Sequence, residues 1–350
     1  MSNALNLPPL ATTGIGSLPF RDAQEAARFV LGAGLTVPFW PQLPQRDPIE
    51  GMVPQYSEGM PCVRIDAEND SVSWDEEGKF AELERFYQDY LSEDPERFAI
   101  SRDRAEGLYA FLGQAEGGSL ATVKGHVTGP ITYANTVADA DKRPLYADAD
   151  LRDAAVKLLA RKAQWQIARL KPLASDTVIV FVDEPVLAAY GSSAYLNIME
   201  EHVAAMLGEV FEAVAEAGGA AGVHVCGNSD WGMAARTGAQ VLNFDAYQYG
   251  STMALYPEDA QALYDRGGRV AWGVVPTSKA VHSETASSLA ERFEAAVKAL
   301  ADKGLDADQV IAQSILTPSC GAGSLEEADA RRVFELLREL RETLSGERGS

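Results

Sequence analysis

The stretch GVHVCGNSD, residues 222–230, sets His224 and Cys226 two positions apart in a chain that has only four histidines and three cysteines. In an extended strand residues i and i+2 share a face, so an imidazole and a thiol at this spacing aim at one point. Zinc takes sulfur from Cys, nitrogen from His and oxygen from Asp or Glu, usually four donors together. Two more candidates end β-rich runs further on, Asp245 in LNFDAY and Cys320 in TPSCG. This is not the spacing of a compact zinc knuckle. It predicts a site assembled from distant strands, which suits chemistry better than local stapling. Two thiolates push negative charge onto the ion and make it a poor activator of water, so hydrolysis is disfavoured. The same donors suit an ion that holds a substrate thiol as thiolate: a free thiol of pKa ~8.5 is scarcely ionised at neutral pH, whereas a coordinating thiol is deprotonated outright. Alkyl transfer to sulfur is the reaction this favours.

The remaining candidates carry less. Cys62 in GMPCVRI reads as a small core residue, and His202 and His282 as helix-associated side chains. His126 in VKGHVTGP ends a predicted strand at the functional rim, and the residues alone leave it open between core and site.

Positioning four such residues requires a frame of strands. Eight short β-rich runs can be picked out, at 11–17, 35–41, 119–127, 176–185, 220–227, 240–247, 268–276 and 314–321, most followed by a segment of helical periodicity. Alternation of this kind predicts parallel βαβ units, and eight of them an α/β single (β/α)₈ TIM barrel, with active-site residues at the C-terminal ends of its strands. Residues 58–118 break the rhythm with a predicted hairpin and helix, and are expected to be an insertion after the second strand of one catalytic domain spanning 1–350.

Composition bounds the partners. A formal net charge of -21 argues against nucleic acid and anionic membranes, which are held by clustered Lys and Arg. No apolar run approaches the roughly 18 residues of a membrane span, and the N-terminal segment lacks the pattern of a signal peptide. Three cysteines, odd in number and far apart, suit a reducing compartment, so a cytoplasmic protein is expected.

Taken together, TTGIGSLP, VDEP, HVCG, NFDAY and TPSCG make the chain resemble the cobalamin-independent methionine synthase and uroporphyrinogen decarboxylase superfamily over nearly its whole length. HVCGN is also similar to the methylcobalamin:coenzyme M methyltransferases of that superfamily. The resemblance implies zinc held by His224, Cys226 and Cys320, with Asp245 standing where methionine synthases have Glu. It implies that Ile15, Gly16 and Ser17 contact homocysteine, and that Asp183, with Glu184 beside it, supplies the carboxylate for its ammonium. Two departures bear on the methyl donor. Folate-dependent methionine synthases carry a second, degenerate barrel, and their seventh strand bears an Asp-Ile-His where this chain has WGVVPTSK. Methylcobalamin or another methyl-corrinoid, free or on a corrinoid carrier protein, is therefore the expected donor, since a corrinoid leaving group needs no proton. The alternatives are methyl transfer to another thiol such as coenzyme M, a folate-dependent methionine synthase, and a non-catalytic zinc- or corrinoid-binding protein.

Overall fold

The computed structural model describes residues 5–66, 71–92, 94–190 and 198–346. Nine strands occur among them: β1 (Ala11–Thr12), β2 (Val63–Asp66), β3 (Ser71–Trp74), β4 (Leu120–Thr128), β5 (Ala174–Asp183), β6 (Ala220–Val225), β7 (Val241–Phe244), β8 (Arg269–Val275) and β9 (Ser314–Pro318). Seven form one curled sheet in the order β1-β9-β8-β7-β6-β5-β4, every pair parallel. β6 through β9 are buried along their whole lengths, as strands covered on both faces must be. The mixed α/β, barrel-like architecture expected of the alternating pattern is present.

Helices cover the outer face. The longest, Ala149–Leu170, begins where Asp148 accepts hydrogen bonds from the backbone N–H groups of Asp150 and Leu151. It buries Leu151, Ala155, Leu158 and Trp165, spaced to lie on one side. Inside the curl a separate apolar cluster joins Ala11, Ile15, Val37, Phe181, Val241 and Ile315, and fills the lumen with one residue from each of several strands. No helix among the described residues is long and apolar enough to cross a membrane.

Two of the eight expected strands differ. The run at 11–17 is regular only over Ala11–Thr12, and the run at 35–41 forms no regular strand. The cause is local: Pro38 and Pro41 have no N–H to give a ladder, so a continuous parallel pairing cannot form there. The segment nonetheless lies between the two sheet edges. Val37 N donates to Thr12 O at 2.9 Å, Lys124 N to Pro38 O at 2.8 Å, and Gln42 N to Gly16 O at 3.0 Å. Isolated parallel bridges pair Phe39 with Lys124 and Ser17 with Gln42. Seven regular strands and this irregular span thus stand where eight strands were expected.

Residues 58–118 contain the expected hairpin, with β2 antiparallel to β3, and the helix Lys79–Leu91. The hairpin is tied to the main body by Trp74, whose Nε1 donates to Arg143 O at 3.1 Å, and the helix by a Lys79–Asp148 ion pair at 2.6 Å.

A second helix of this region, Glu106–Ala115, presses on the proline-bearing span. A Cβ placed on Gly107 would lie 1.9 Å from Pro41 O, whereas one on Gly113 of the same helix would meet nothing within 4 Å. Gly107→Ala is therefore expected to lower stability by about 1–3 kcal/mol through overpacking. Gly113→Ala should raise it by about 0.5–1 kcal/mol through helix propensity. Urea unfolding of the two variants measures both, and equal stabilities would refute the close approach.

Candidate metal centre

The sheet register builds the site. Asp183 at the end of β5 pairs with His224 on β6, and His224 pairs with Asn243 on β7. Cys226 follows the end of β6, on the same face as His224, and Cys320 follows β9. The ligand atoms of His224, Cys226 and Cys320 all lie within 4.8 Å of one another, the one such group of three among the described residues. His224 is buried, while the two cysteines are partly open at the rim.

Asn243 orients the imidazole. Its amide Nδ2 donates to Ala271 O at 2.8 Å and to Thr317 Oγ1 at 2.9 Å, so its Oδ1 is an acceptor. The His224 Nδ1–H donates to that oxygen at 2.5 Å, so Nε2 is the nitrogen left to face a ligand or ion. Asn243 is fully buried and belongs to no strand end, so the sequence reading missed it. Its position two residues before Asp245, within the β-rich run 240–247, was the available signal.

The electrostatics divide the sulfurs. Hydrogen bonds from Cys320 and His224 pull the Cys226 thiol down to about 4. Its hydrogen bond to Cys226, followed by burial, pushes Cys320 well above the ordinary thiol range. Burial lowers His224, but its hydrogen bond to Cys226 and the charges of Asp183 and Cys226 outweigh that and raise it. An imidazole and two thiols that already polarise one another in this way are donors of the kind zinc takes. They supply three of its usual four positions.

Asp245 lies beside the cluster without joining it. Its Oδ1 accepts from Gln248 N at 3.0 Å and its Oδ2 from Gln248 Nε2 at 2.7 Å, at the start of the short helix Ala246–Tyr249. The two acids of VDEP part company. Glu184 is fully buried and accepts from Ile131 N at 2.9 Å, Thr132 N at 2.7 Å and Thr132 Oγ1 at 2.7 Å. It thereby fixes the first turn of the helix Pro130–Thr136 to the end of β5. Burial pushes it up to about 7. Asp183 faces the site, with an Oδ1 that has no hydrogen-bond partner; burial raises it to about 6 against the pull of His224 and Lys124.

Ile15, Gly16 and Ser17 run past the same rim. Ile15 O accepts from Lys124 Nζ at 2.6 Å, and Ser17 Oγ accepts from Gly323 N at 3.2 Å, just beyond Cys320. A Cβ on Gly321 would stand 2.1 Å from Ser17 Oγ, so the Ile15–Ser17 segment and the cysteine loop touch directly. Lys124, fully buried on β4, also escaped the sequence reading. A lysine in the middle of a β-rich run, two positions before His126, was the signal.

Set beside known proteins, the chain matches no family model and no curated protein. Among solved structures it is similar to a B12-independent methionine synthase from Shewanella sp. W3-18-1 in complex with selenomethionine, at 14% identity and a TM-score of 0.61, over 97% of this chain and 98% of that one. An apo 3-keto-D-glucoside 4-epimerase from E. coli matches at 12% identity and a TM-score of 0.38, over 67% of this chain and 84% of that one. The shared fold with the methionine synthase is the finding; at this identity it says nothing of the reaction.

Proposed function

We propose that the protein is a zinc-dependent S-methyltransferase that makes methionine from homocysteine, drawing the methyl group from methylcobalamin or another methyl-corrinoid, free or on a carrier protein. The observation that carries this reading is the convergence of His224, Cys226 and Cys320 at one rim, with Asp183 presenting an unpartnered oxygen beside them. The methionine synthase of like fold was captured with selenomethionine, an analogue of the proposed product, which supports the choice of acceptor.

His224, Cys226 and Cys320 would hold the ion, and the fourth position would go to Asp245 or to the substrate thiol. Zinc bound there supplies a Lewis acid that keeps a substrate thiol ionised at neutral pH. The chain's own residues do the rest. Asn243 fixes the imidazole tautomer, Asp183 receives the substrate ammonium, and the Ile15–Ser17 backbone sets the amino acid's position against the cysteine loop. Glu184 positions the end of β5 that carries Asp183. The substrate sulfur gives up its proton to solvent water and donates an electron pair to the methyl carbon. The carbon's bond to the donor breaks, and that pair leaves with the donor. Holding sulfur and methyl in line supplies much of the acceleration.

We further read the chain as one catalytic domain. In it the span 37–42 takes the place of the second barrel strand and 58–118 is an insertion. Cys62, Cys226 and Cys320 carry no disulfide, which fits a cytoplasmic setting.

The deciding experiment incubates zinc-loaded protein with homocysteine and either methylcobalamin or methyltetrahydrofolate, and assays methionine. Methionine is expected from the corrinoid; turnover with folate alone would remove the corrinoid part, and no product from either would remove the methyltransferase reading. Cys320→Ser should lower zinc content and methyl transfer together, and transfer that survives a loss of zinc contradicts the catalytic role of the ion. Asn243→Ala frees the imidazole to rotate, and should weaken zinc binding by about 10- to 100-fold with the far-ultraviolet circular dichroism unchanged. Competition with a chromophoric chelator reads that constant.

A further inference from the structure

His126 is 1% exposed, and neither of its ring nitrogens has a hydrogen-bond partner. Buried polar atoms are ordinarily hydrogen-bonded, so two left without a partner on one ring are a feature that needs a cause. Neighbouring polar groups do not turn toward it. Tyr56 OH donates to the His126 backbone oxygen at 2.7 Å, and Thr128 Oγ1 to Met52 O. What touches the ring is apolar surface: Trp40 stacks on it with centroids 3.9 Å apart. Gly16 meets its edge so closely that a Cβ there would lie 2.9 Å from Cε1 and Nδ1.

The register says where the ring faces. Phe181 belongs to the lumen cluster, and Lys124 places its ammonium 4.5 Å from the Phe181 ring centroid, so Lys124 points inward. His126, two residues on, shares that face, and it pairs with Phe181 while Thr128 pairs with Asp183. His126 and Asp183 are therefore inward neighbours on adjacent strands, each with an unused polar atom. Gly16 of the substrate-side segment lies against the former. Burial and the charge of Lys124 hold the His126 imidazole well below its usual range, so it is neutral and has one N–H to donate.

An acceptor oxygen on Asp183 and a donor on His126 are complementary to the two ends of a zwitterion. Building on the amino-acid acceptor proposed above, we propose that His126 is a specificity residue of the thiol site. Its ring N–H binds the α-carboxylate of an amino-acid thiol whose ammonium rests on Asp183. The site then discriminates against thiols that lack the carboxylate. Lys124 donates to Ile15 O at 2.6 Å and so ties its ammonium to the backbone of the segment that carries Gly16.

The test is direct binding, by titration calorimetry on the zinc-loaded protein, of L-homocysteine and of 3-aminopropane-1-thiol, the same chain without the carboxylate. Wild type should prefer homocysteine by about tenfold or more. His126→Phe keeps the stack on Trp40 and removes the donor. It should lose about tenfold or more for homocysteine and less than about threefold for the aminothiol, while His126→Gln, which keeps a donor, should retain most of the preference. Zinc content measured alongside should be the same in all three. Equal losses for both thiols, or none, would overturn the assignment, and should the Phe variant not fold, His126→Leu gives the same comparison. Wild type that binds both thiols equally overturns the role of His126 alone. Wild type that binds neither removes the amino-acid acceptor, and the role of His126 with it.

Discussion

The lateral register of β5, β6 and β7 is the constraint on which the site depends. It sets Asp183, His224 and Asn243 side by side across three strands. Because side chains alternate, a slip of one residue in any of these pairings would turn the member concerned out of the lumen. The apolar residues between them, Val182, Val223 and Leu242, face the helices and are fully buried, so the outer core enforces the inner chemistry. Asn243 then couples the site back to β8 and β9 through Ala271 and Thr317. The orientation of one imidazole is thus set by four neighbouring strands.

Around this frame the lumen concentrates groups that a protein core ordinarily avoids. Lys124, His126 and Asp183 are all buried, and neither the ring nitrogens of His126 nor Asp183 Oδ1 has a hydrogen-bond partner. Burial brings Lys124 down to about 7 and Asp183 up to about 6, so neither charge is strongly held in the lumen. Such a set is costly for folding and has its rationale in a charged ligand that completes it.

Much of the scaffold is legible in the sequence because its signals are local. The runs that became β4 to β9 are apolar, bounded by Gly, Pro or polar turns, and followed by amphipathic helices. His224 and Cys226 are read from strand period alone. What is not legible arises from contacts between distant segments. Nothing near Asn243 in the chain says that it will face His224, since that depends on register. The span 35–41 has strand composition, yet its prolines deny it a ladder and only the edges of β1 and β4 hold it in line. The pair Asp183–Glu184 is one motif in sequence, but a helix N-terminus formed by residues 130–132 claims the second acid.

Ser17 and the Gly321–Gly323 turn meet with no room for a side chain between them, and they are joined by the Gly323 N–H and by Ala322 N donating to Ser17 O at 2.9 Å. Segments some three hundred residues apart are thus pinned to one another at the rim. Under the proposed function, an ion held by Cys320 and an amino acid resting on the Ile15–Ser17 backbone would meet across this contact. Any coupling between the two through it would be reciprocal, each changing the affinity of the other by the same factor.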